Sequence, residues 1–158
     1  MGGCHRLLPT NIAAQVDLFL LRMSNIGGYE DRIAQLDCEQ GTPQSIRDWM
    51  AEWNRRTDAY PVWGYLPDWL EMQWAGSDLA AYGFAGWWAS EYVPGEGPYR
   101  DLAKLVTETQ WHIHDGVKPA ILQFTSRASV PGVSGYCDVN IWPGTMAELR
   151  ALATTRRG

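Results

Sequence analysis

The chain has 158 residues, 46% of them hydrophobic and 20% charged, which fits a single folded domain over residues 1–158. Its formal net charge is -5 and its basic residues form no run longer than a pair, so it lacks the basic surface that nucleic-acid binding requires. No stretch of the sequence approaches the roughly 20 apolar residues of a membrane-spanning helix, and residues 1–9 lack a signal-peptide pattern. We therefore expect neither nucleic acid nor membrane as a partner, and no obligate protein partner is evident.

The first third of the chain combines two helical patterns with one extended pattern. An apolar stripe predicts a helix over residues 12–23, with Thr10 and Asn11 as candidate caps. A short apolar run predicts a strand over residues 33–36. After a break containing glycine and proline, an amphipathic pattern predicts a second helix over residues 44–56.

The remainder continues this alternation. We predict strands over residues 61–66, 84–89, 119–125 and 139–142, an irregular and partly helical connection over 67–81, and a closing helix over 145–153 with Thr145 as its cap. Strands that alternate with helical segments are typical of a parallel sheet covered by helices.

Aromatic residues are unusually dense, with nine tryptophans and seven tyrosines. Many of them stand beside glycine, proline and acidic residues, in residues 63–74 and 87–92, where loops are expected. Flat ring faces in a groove stack on sugars as well as on nucleobases, and the acidic net charge disfavours nucleobases. The composition therefore favours a carbohydrate ligand.

The sequence offers no strong metal site. Cys4, Cys38 and Cys137 are odd in number and widely spaced, which fits neither a disulfide framework nor a zinc site, so we expect buried apolar fillers. His112 and His114 alternate in a polar stretch, but no cysteine or second histidine cluster lies nearby in sequence. An exposed turn is the better interpretation of this pair.

Two acidic residues follow the strand predicted over residues 33–36. Side chains at i and i+2 of a strand point to the same face, so Asp37 and Glu39 project together. Asp138 and Asn140 repeat this spacing, and the strand ends of a parallel barrel meet at one mouth. Paired carboxylates can supply the proton donor and the negative charge that glycosidic cleavage needs. By spacing alone, however, solvated or helix-capping carboxylates are the commoner interpretation.

Longer motifs make this pattern specific. They are residues 2–9 (GGCHRLLP), 13–19 (AAQVDLF), 33–39 (IAQLDCE), 122–126 (LQFTS), 130–135 (VPGVSG), 138–140 (DVN) and 144–145 (GT). In order and spacing they resemble the motifs G-x-Y-H-F, A-x-Q-A-x-x-F, P-x-L-D-x-E, W-Q-Y-T-S, V-P-G-I-x-G, D-x-N and G-T of the glycoside hydrolase family 25 lysozymes. The resemblance to these Chalaropsis-type N-acetylmuramidases covers nearly the whole chain.

The resemblance implies hydrolysis of the β-1,4 bond between N-acetylmuramic acid and N-acetylglucosamine in peptidoglycan glycan strands, at the cell wall or outside the cell, with no metal or cofactor. Glu39 would be the general acid, Asp37 would orient the substrate's 2-acetamido group as it attacks the anomeric carbon, and Asp138 would be the acidic residue of the last strand. The implied outcome is hydrolysis with retention of configuration.

The residues implied to bind substrate are His5, Tyr65, Trp87, Trp88, Gln123 and Asn140. Strand alternation lets only one of the two tryptophans face the mouth of the barrel. A structural role for His5 is as plausible as a binding role, because Cys4 and Arg6 replace aromatic residues of the family motif.

The implied fold is an α/β TIM-like (β/α) barrel. The motifs begin at the family's third strand, so we expect an N-terminally truncated barrel with about six of eight strands; a complete barrel takes about 250 residues. Two hypotheses follow: an active muramidase, or a truncated or degenerate barrel that binds cell-wall glycan without catalysis. A third is an unrelated α/β protein whose two carboxylates bind a divalent metal ion.

Overall fold

A computed structural model describes residues 2–29, 32–67, 79–111 and 118–154, with the side chains of 152–154 excepted. The strands are β1 (Gly2–Arg6), β2 (Ile33–Asp37), β3 (Val62–Pro67), β4 (Gly86–Ser90), β5 (Gly97–Pro98), β6 (Ile121–Ser129) and β7 (Tyr136–Ile141). The α-helices are α1 (Ile12–Ser24), α2 (Pro43–Thr57), α3 (Tyr99–Ala103) and α4 (Met146–Thr154). Short 3₁₀ helices span Leu79–Tyr82 and Glu108–Gln110.

The strands form one sheet of mixed direction. Their order is β1-β2-β3-β4-β6-β5, with β7 alongside β6. All of these pairs are parallel except β6 with β7, which is antiparallel. The predicted parallel sheet is therefore confirmed for its first part and wrong for the last strand. The reason is the connection of residues 130–135, because a parallel crossover needs a dozen residues or more. The two-residue strand β5 was not predicted from the sequence.

The sheet curls, and its two ends approach each other. Strands β1 and β7 stand far apart in the strand order, yet side chains from both line one cleft. The described strands thus form a curled half-barrel within a mixed α/β fold, whereas a complete TIM barrel is not established for this chain. No helix among the described residues is long and apolar enough to cross a membrane.

Helices α1 and α2 cover the outer face of the sheet, opposite the cleft. Helix α2 places Ile46, Trp49, Met50 and Trp53 on one stripe, and all four are buried. The rings of Trp49 and Trp53 stack with their centroids 5.2 Å apart. Both helices lie within one residue of their predicted bounds at either end, because this apolar periodicity is a local property of the sequence.

The helix caps follow the sequence only in part. At α4, the Glu148 N–H donates to the Thr145 hydroxyl at 3.2 Å, which confirms the predicted cap. At α1, Asn11 holds the capping position with a φ of 55° and its side chain makes no capping hydrogen bond. The predicted cap position at Asn11 is therefore confirmed, but the Asn11 side chain does not cap the helix.

Strands β3 and β4 approach closely through two glycine–tryptophan pairs. Gly64 lies opposite Trp87, and Gly86 lies opposite Trp63. A Cβ atom at Gly64 would stand 2.8 Å from ring atoms of Phe84 and Trp87, and one at Gly86 would stand 2.8 Å from Trp63. The large rings of each strand therefore occupy space that glycine leaves on the other.

Candidate active site

A cleft of about 230 Å³ opens at the end of the sheet where β1–β4 finish. Its lining residues come from five strands and the loops that follow them: Cys4, Arg6, Gln35, Asp37, Glu39, Tyr65, Tyr92, Gln123 and Asp138. Five of them, Glu39, Asp37, Asp138, Tyr65 and Gln123, are site residues predicted from the sequence. These five positions are spread from residue 37 to residue 138, and the curl of the sheet brings them to one cleft.

Asp37 and Glu39 form a fixed pair at the end of β2. The Glu39 N–H donates to Asp37 Oδ1 at 3.0 Å, which holds the turn after the strand. The Leu7 N–H donates to the Asp37 carbonyl at 2.8 Å, and the Cys38 N–H donates to the Tyr65 carbonyl at 3.0 Å. Because these bonds tie the turn to both neighbouring strands, the two carboxylates keep one position relative to the cleft.

Arg6 connects this pair to β1. It lies directly opposite Asp37 in the parallel register. Its Nε donates to Asp37 Oδ2 at 3.3 Å, and its Nη2 donates to Glu39 Oε2 at 3.4 Å. The Arg6 side chain is 57% exposed, against 13% for Asp37 and 28% for Glu39. The guanidinium therefore forms a solvent-facing bridge above the carboxylates.

The surroundings of Glu39 favour its protonated form. Loss of solvent, followed by the negative charges of Asp37 and Asp138, raises the pKa of Glu39, while the Arg6 cation opposes this effect. A carboxyl group with a raised pKa stays partly protonated closer to neutral pH, where it can donate a proton. Of the two paired carboxyls, Glu39 is thus the one suited to be an acid.

Polar side chains from β3, β4 and β6 line the opposite side of the cleft. The Tyr65 hydroxyl is hydrogen-bonded to Ser90, and burial raises the pKa of Tyr65. Gln123 Nε2 donates to the Tyr92 hydroxyl at 2.8 Å. These groups offer hydroxyl and amide hydrogen-bonding partners that stay uncharged near neutral pH.

The two tryptophans of β4 point to opposite faces, as strand alternation predicts. Trp87 is 4% exposed and packs with Phe84 in the core under the helices. Trp88 lines a hollow of about 260 Å³ that shares Cys4 and Gln35 with the cleft. Its indole N–H donates to Asn140 Oδ1 at 2.8 Å, so these two predicted residues lie together. Trp88, and not Trp87, is on the concave side.

His5 faces away from the cleft. Its Nε2 lies 3.0 Å from Gln15 Oε1, and its ring stacks on Trp49 at 6.3 Å between centroids. On β1 the neighbours Cys4 and Arg6 face the cleft instead. The structure thus places His5 against the helices, where it supports the packing of β1, and does not bring it to the other predicted site residues.

The sequence analysis missed four cleft residues: Cys4, Arg6, Gln35 and Tyr92. Strand alternation could have identified the first three. Cys4 and Arg6 stand two residues apart on β1, and Gln35 stands two residues before Asp37 on β2. Cys4 is no buried filler, because it lies exposed at the cleft. Desolvation and the charge of Asp37 raise the pKa of Cys4 to about 11, so its thiol stays protonated.

Cys38 is buried as predicted, and Cys137 is half-buried. His112 and His114 lie outside the described residues. Within the described ranges, no group of three or more histidine, cysteine, aspartate or glutamate side chains is arranged to hold a metal ion.

Solved structures of a bacterial glycosyl hydrolase, a spore cortex lytic enzyme and a bacterial lysozyme share this fold. A glycosyl hydrolase 25 virulence factor of Streptococcus pneumoniae matches with a TM-score of 0.64 and 13% identity, over 97% of this chain and 63% of its own. SleM, a spore cortex lytic enzyme of Clostridium perfringens, matches at 0.67 and 15%, over 93% and 50%. A lysozyme of Streptomyces coelicolor matches at 0.61 and 20%, over 97% and 71%.

These likenesses confirm at the level of the fold the resemblance carried by the motifs. The chain has the fold of glycoside hydrolase family 25 lysozymes, and it spans from half to about seven-tenths of the length of these three solved proteins. Its sequence matches no family model and no curated protein.

Proposed function

We propose that this chain is a muramidase that hydrolyses the β-1,4 bond between N-acetylmuramic acid and N-acetylglucosamine in peptidoglycan. The observation that carries the proposal is the cleft in which Glu39, with its raised pKa, lies beside Asp37 and within the field of Asp138. The fold shared with a bacterial lysozyme and a spore cortex lytic enzyme supports a cell-wall glycan as substrate. The site of action is accordingly the cell wall.

The proposed mechanism begins with the protonated Glu39. It transfers its proton to the glycosidic oxygen as the bond to the anomeric carbon breaks. The carbonyl oxygen of the substrate's own 2-acetamido group forms the new bond to that carbon, while Asp37 accepts a hydrogen bond from the acetamido N–H. Glu39, now a carboxylate, then takes a proton from the water that opens this intermediate. Two displacements at the same carbon retain its configuration.

The remaining cleft residues hold the sugar. Asp138 adds negative charge near the developing positive charge on the sugar ring. Tyr65 and Gln123 offer hydrogen bonds to substrate hydroxyl and acetamido groups, and Trp88 with Asn140 offers a ring face and an amide in the adjoining hollow. We assign no substrate contact to His5 or Trp87, because both pack on the helix-facing side.

A second candidate function is glycan binding without turnover. The observation that favours it is Arg6, whose guanidinium contacts both Asp37 and Glu39 and favours the charged form of Glu39. If that bridge persists when glycan is bound, the guanidinium occupies Glu39 Oε2 and opposes transfer of the Glu39 proton to the glycosidic oxygen.

The decisive experiment measures new reducing ends released from purified peptidoglycan by the parent chain and by Glu39→Gln. The muramidase proposal expects release by the parent and a loss of about 10²–10⁴-fold in the variant, which is the contribution of a general acid. Glu52→Gln is the matched control, because Glu52 lies on α2 and is occupied by Arg55 and Arg56. Glycan pull-down without reducing ends would instead establish the binding function.

A further inference from the structure

The cleft-facing side of β7 continues outward beyond Asp138. Exposed and half-buried side chains alternate along β7, and Val139 and Ile141 pack against the core cluster around Phe124. Asp138 and Asn140 therefore face the other way, toward the cleft and Trp88. Tyr136 shares their face and lies about 7 Å farther along the strand than Asp138, given the rise of a strand per residue.

Tyr136 is an exposed ring held in position. Its side chain is 53% exposed, although it belongs to a sheet. Its hydroxyl is hydrogen-bonded to Glu96, whose carboxylate in turn forms an ion pair with Arg127 Nη2. These partners lie on β6 and beside β5, so they fix the ring from the neighbouring edge of the sheet. A ring fixed before binding loses less conformational entropy when a ligand packs on it.

The cleft by itself is too small for a glycan strand. Its volume of about 230 Å³ is below the range of about 300–1,000 Å³ in which pockets enclose a drug-sized ligand. A polymeric substrate with its reacting bond at Glu39 must therefore continue over the surface outside the cleft. The side of β7 that carries Asp138 is continuous with that surface.

We infer that Tyr136 is a stacking platform for a sugar ring of the glycan outside the cleft, forming an outer subsite beyond Asp138. The inference rests on the proposed function for the identity of the ligand as cell-wall glycan. The apolar face of a hexopyranose ring packs on an aromatic face, while the tyrosine hydroxyl remains engaged with Glu96. The acidic net charge of -5 disfavours a nucleobase on a phosphate backbone as the stacked ring.

The test compares glycans of different length. In the Glu39→Gln background, which prevents turnover, dissociation constants are measured by calorimetry for a disaccharide and an octasaccharide of N-acetylglucosamine and N-acetylmuramic acid. Tyr136→Ala is expected to weaken octasaccharide binding about tenfold, the size of one lost ring-stacking contact. A disaccharide bound with its glycosidic bond at Glu39 has no further ring for an outer subsite, so the effect on its binding is expected to be small.

Two further variants separate ring stacking from other causes. Tyr136→Phe keeps the ring face but loses the hydrogen bond to Glu96, so it should bind the octasaccharide more weakly than Tyr136 does but more tightly than Tyr136→Ala does. Leu105→Ala, at a similarly exposed position after α3, controls for loss of apolar surface and should not alter binding. Thermal unfolding of each variant confirms that it is folded.

The results for the two proposals are separable. Three results would overturn the outer subsite. Tyr136→Ala could lose affinity equally for both ligands, or lose none for the octasaccharide. Alternatively, the Glu39→Gln chain with Tyr136 intact could bind neither ligand. Reducing ends released from peptidoglycan by the chain with Glu39 intact, together with unchanged binding in Tyr136→Ala, would keep the muramidase and reject the subsite. Length-dependent binding without any release of reducing ends would keep the outer subsite and reject the muramidase.

Discussion

Replacing Arg6 by glutamine is expected to move the basic limb of the pH–activity profile to higher pH. In the proposed mechanism Glu39 acts as an acid only while it is protonated, and the Arg6 cation favours its charged form. Removing the cation therefore raises the pKa of Glu39 further. The loss of Arg6 also leaves the negative charge of Asp37 without its ion-pair partner. That unpaired charge raises the pKa of Glu39 as well. A larger fraction of the protein then holds the proton on Glu39 at any given pH.

The size of this shift follows from the contact. The charged groups of Arg6 and Glu39 approach to 3.4 Å, and Coulomb's law in bulk water gives about 1.2 kcal/mol at that separation. Because Arg6 is 57% exposed, side-chain freedom and solvent reduce this to the roughly 0.2–1 kcal/mol of exposed pairs. At about 1.4 kcal/mol per pKa unit, we expect a shift of about half a unit.

The assay is kcat/KM against pH on solubilised glycan strands, since this ratio reports the ionisation of the free enzyme. Arg55→Gln is the control, because Arg55 pairs with Glu52 on the surface of α2 and should leave the profile in place. A basic limb that stays fixed in Arg6→Gln, or moves to lower pH, would refute the reasoning.

The remaining predictions concern stability and the orientation of β1 and β3. The raised pKa of Glu39 means that folding disfavours its charged form. The stability that the protonated Glu39 contributes is therefore fully present below its unfolded-state pKa of about 4.3, and it is lost as pH rises through the folded-state pKa. Glu39→Gln should therefore be more stable than the parent at pH 7 and not at pH 3, as urea unfolding at both values will show. His5→Ala should lower the free energy of unfolding by about 2 kcal/mol and leave KM unchanged, because the ring packs under the helices; a raised KM in a stable variant would return His5 to the substrate site. Gly64→Ala should cost about 1–3 kcal/mol in the same unfolding assay, since its Cβ would stand 2.8 Å from the rings of Phe84 and Trp87, and an unchanged midpoint would contradict this packing.

Local patterns in the sequence predicted the helices and the placement of the carboxylate pair. The amphipathic stripes determined α1 and α2 almost to the residue. The spacing of Asp37 and Glu39 placed both carboxylates at the end of β2, where the structure has them. Alternation also required that only one of Trp87 and Trp88 face the mouth. Each of these properties depends on residues within a turn or two of one another, so the chain carries them before it folds.

The direction of β7 and the faces of β1 were harder to predict. The short connection of residues 130–135 indicates an antiparallel hairpin, but the alternation of strands and helices earlier in the chain favoured a parallel arrangement. On β1, the family motif predicted His5 as a substrate-binding residue. Which side chains of β1 face the cleft depends, however, on what packs beneath the strand. Met23 and Phe19 of α1 lie against Gly3, and this contact turns His5 inward and Arg6 to the cleft.

The sequence by itself determined which chemistry this chain carries: an acidic pair on one strand end, a third carboxylate near the far end of the chain, and the order of elements around them. Only the tertiary structure decided that Arg6, Glu39 and Asp138 line one cleft, because strand register and the curl of the sheet arise from packing between segments far apart in the sequence. The same packing raises the pKa of Glu39, since desolvation and neighbouring charges exist only once those segments are assembled.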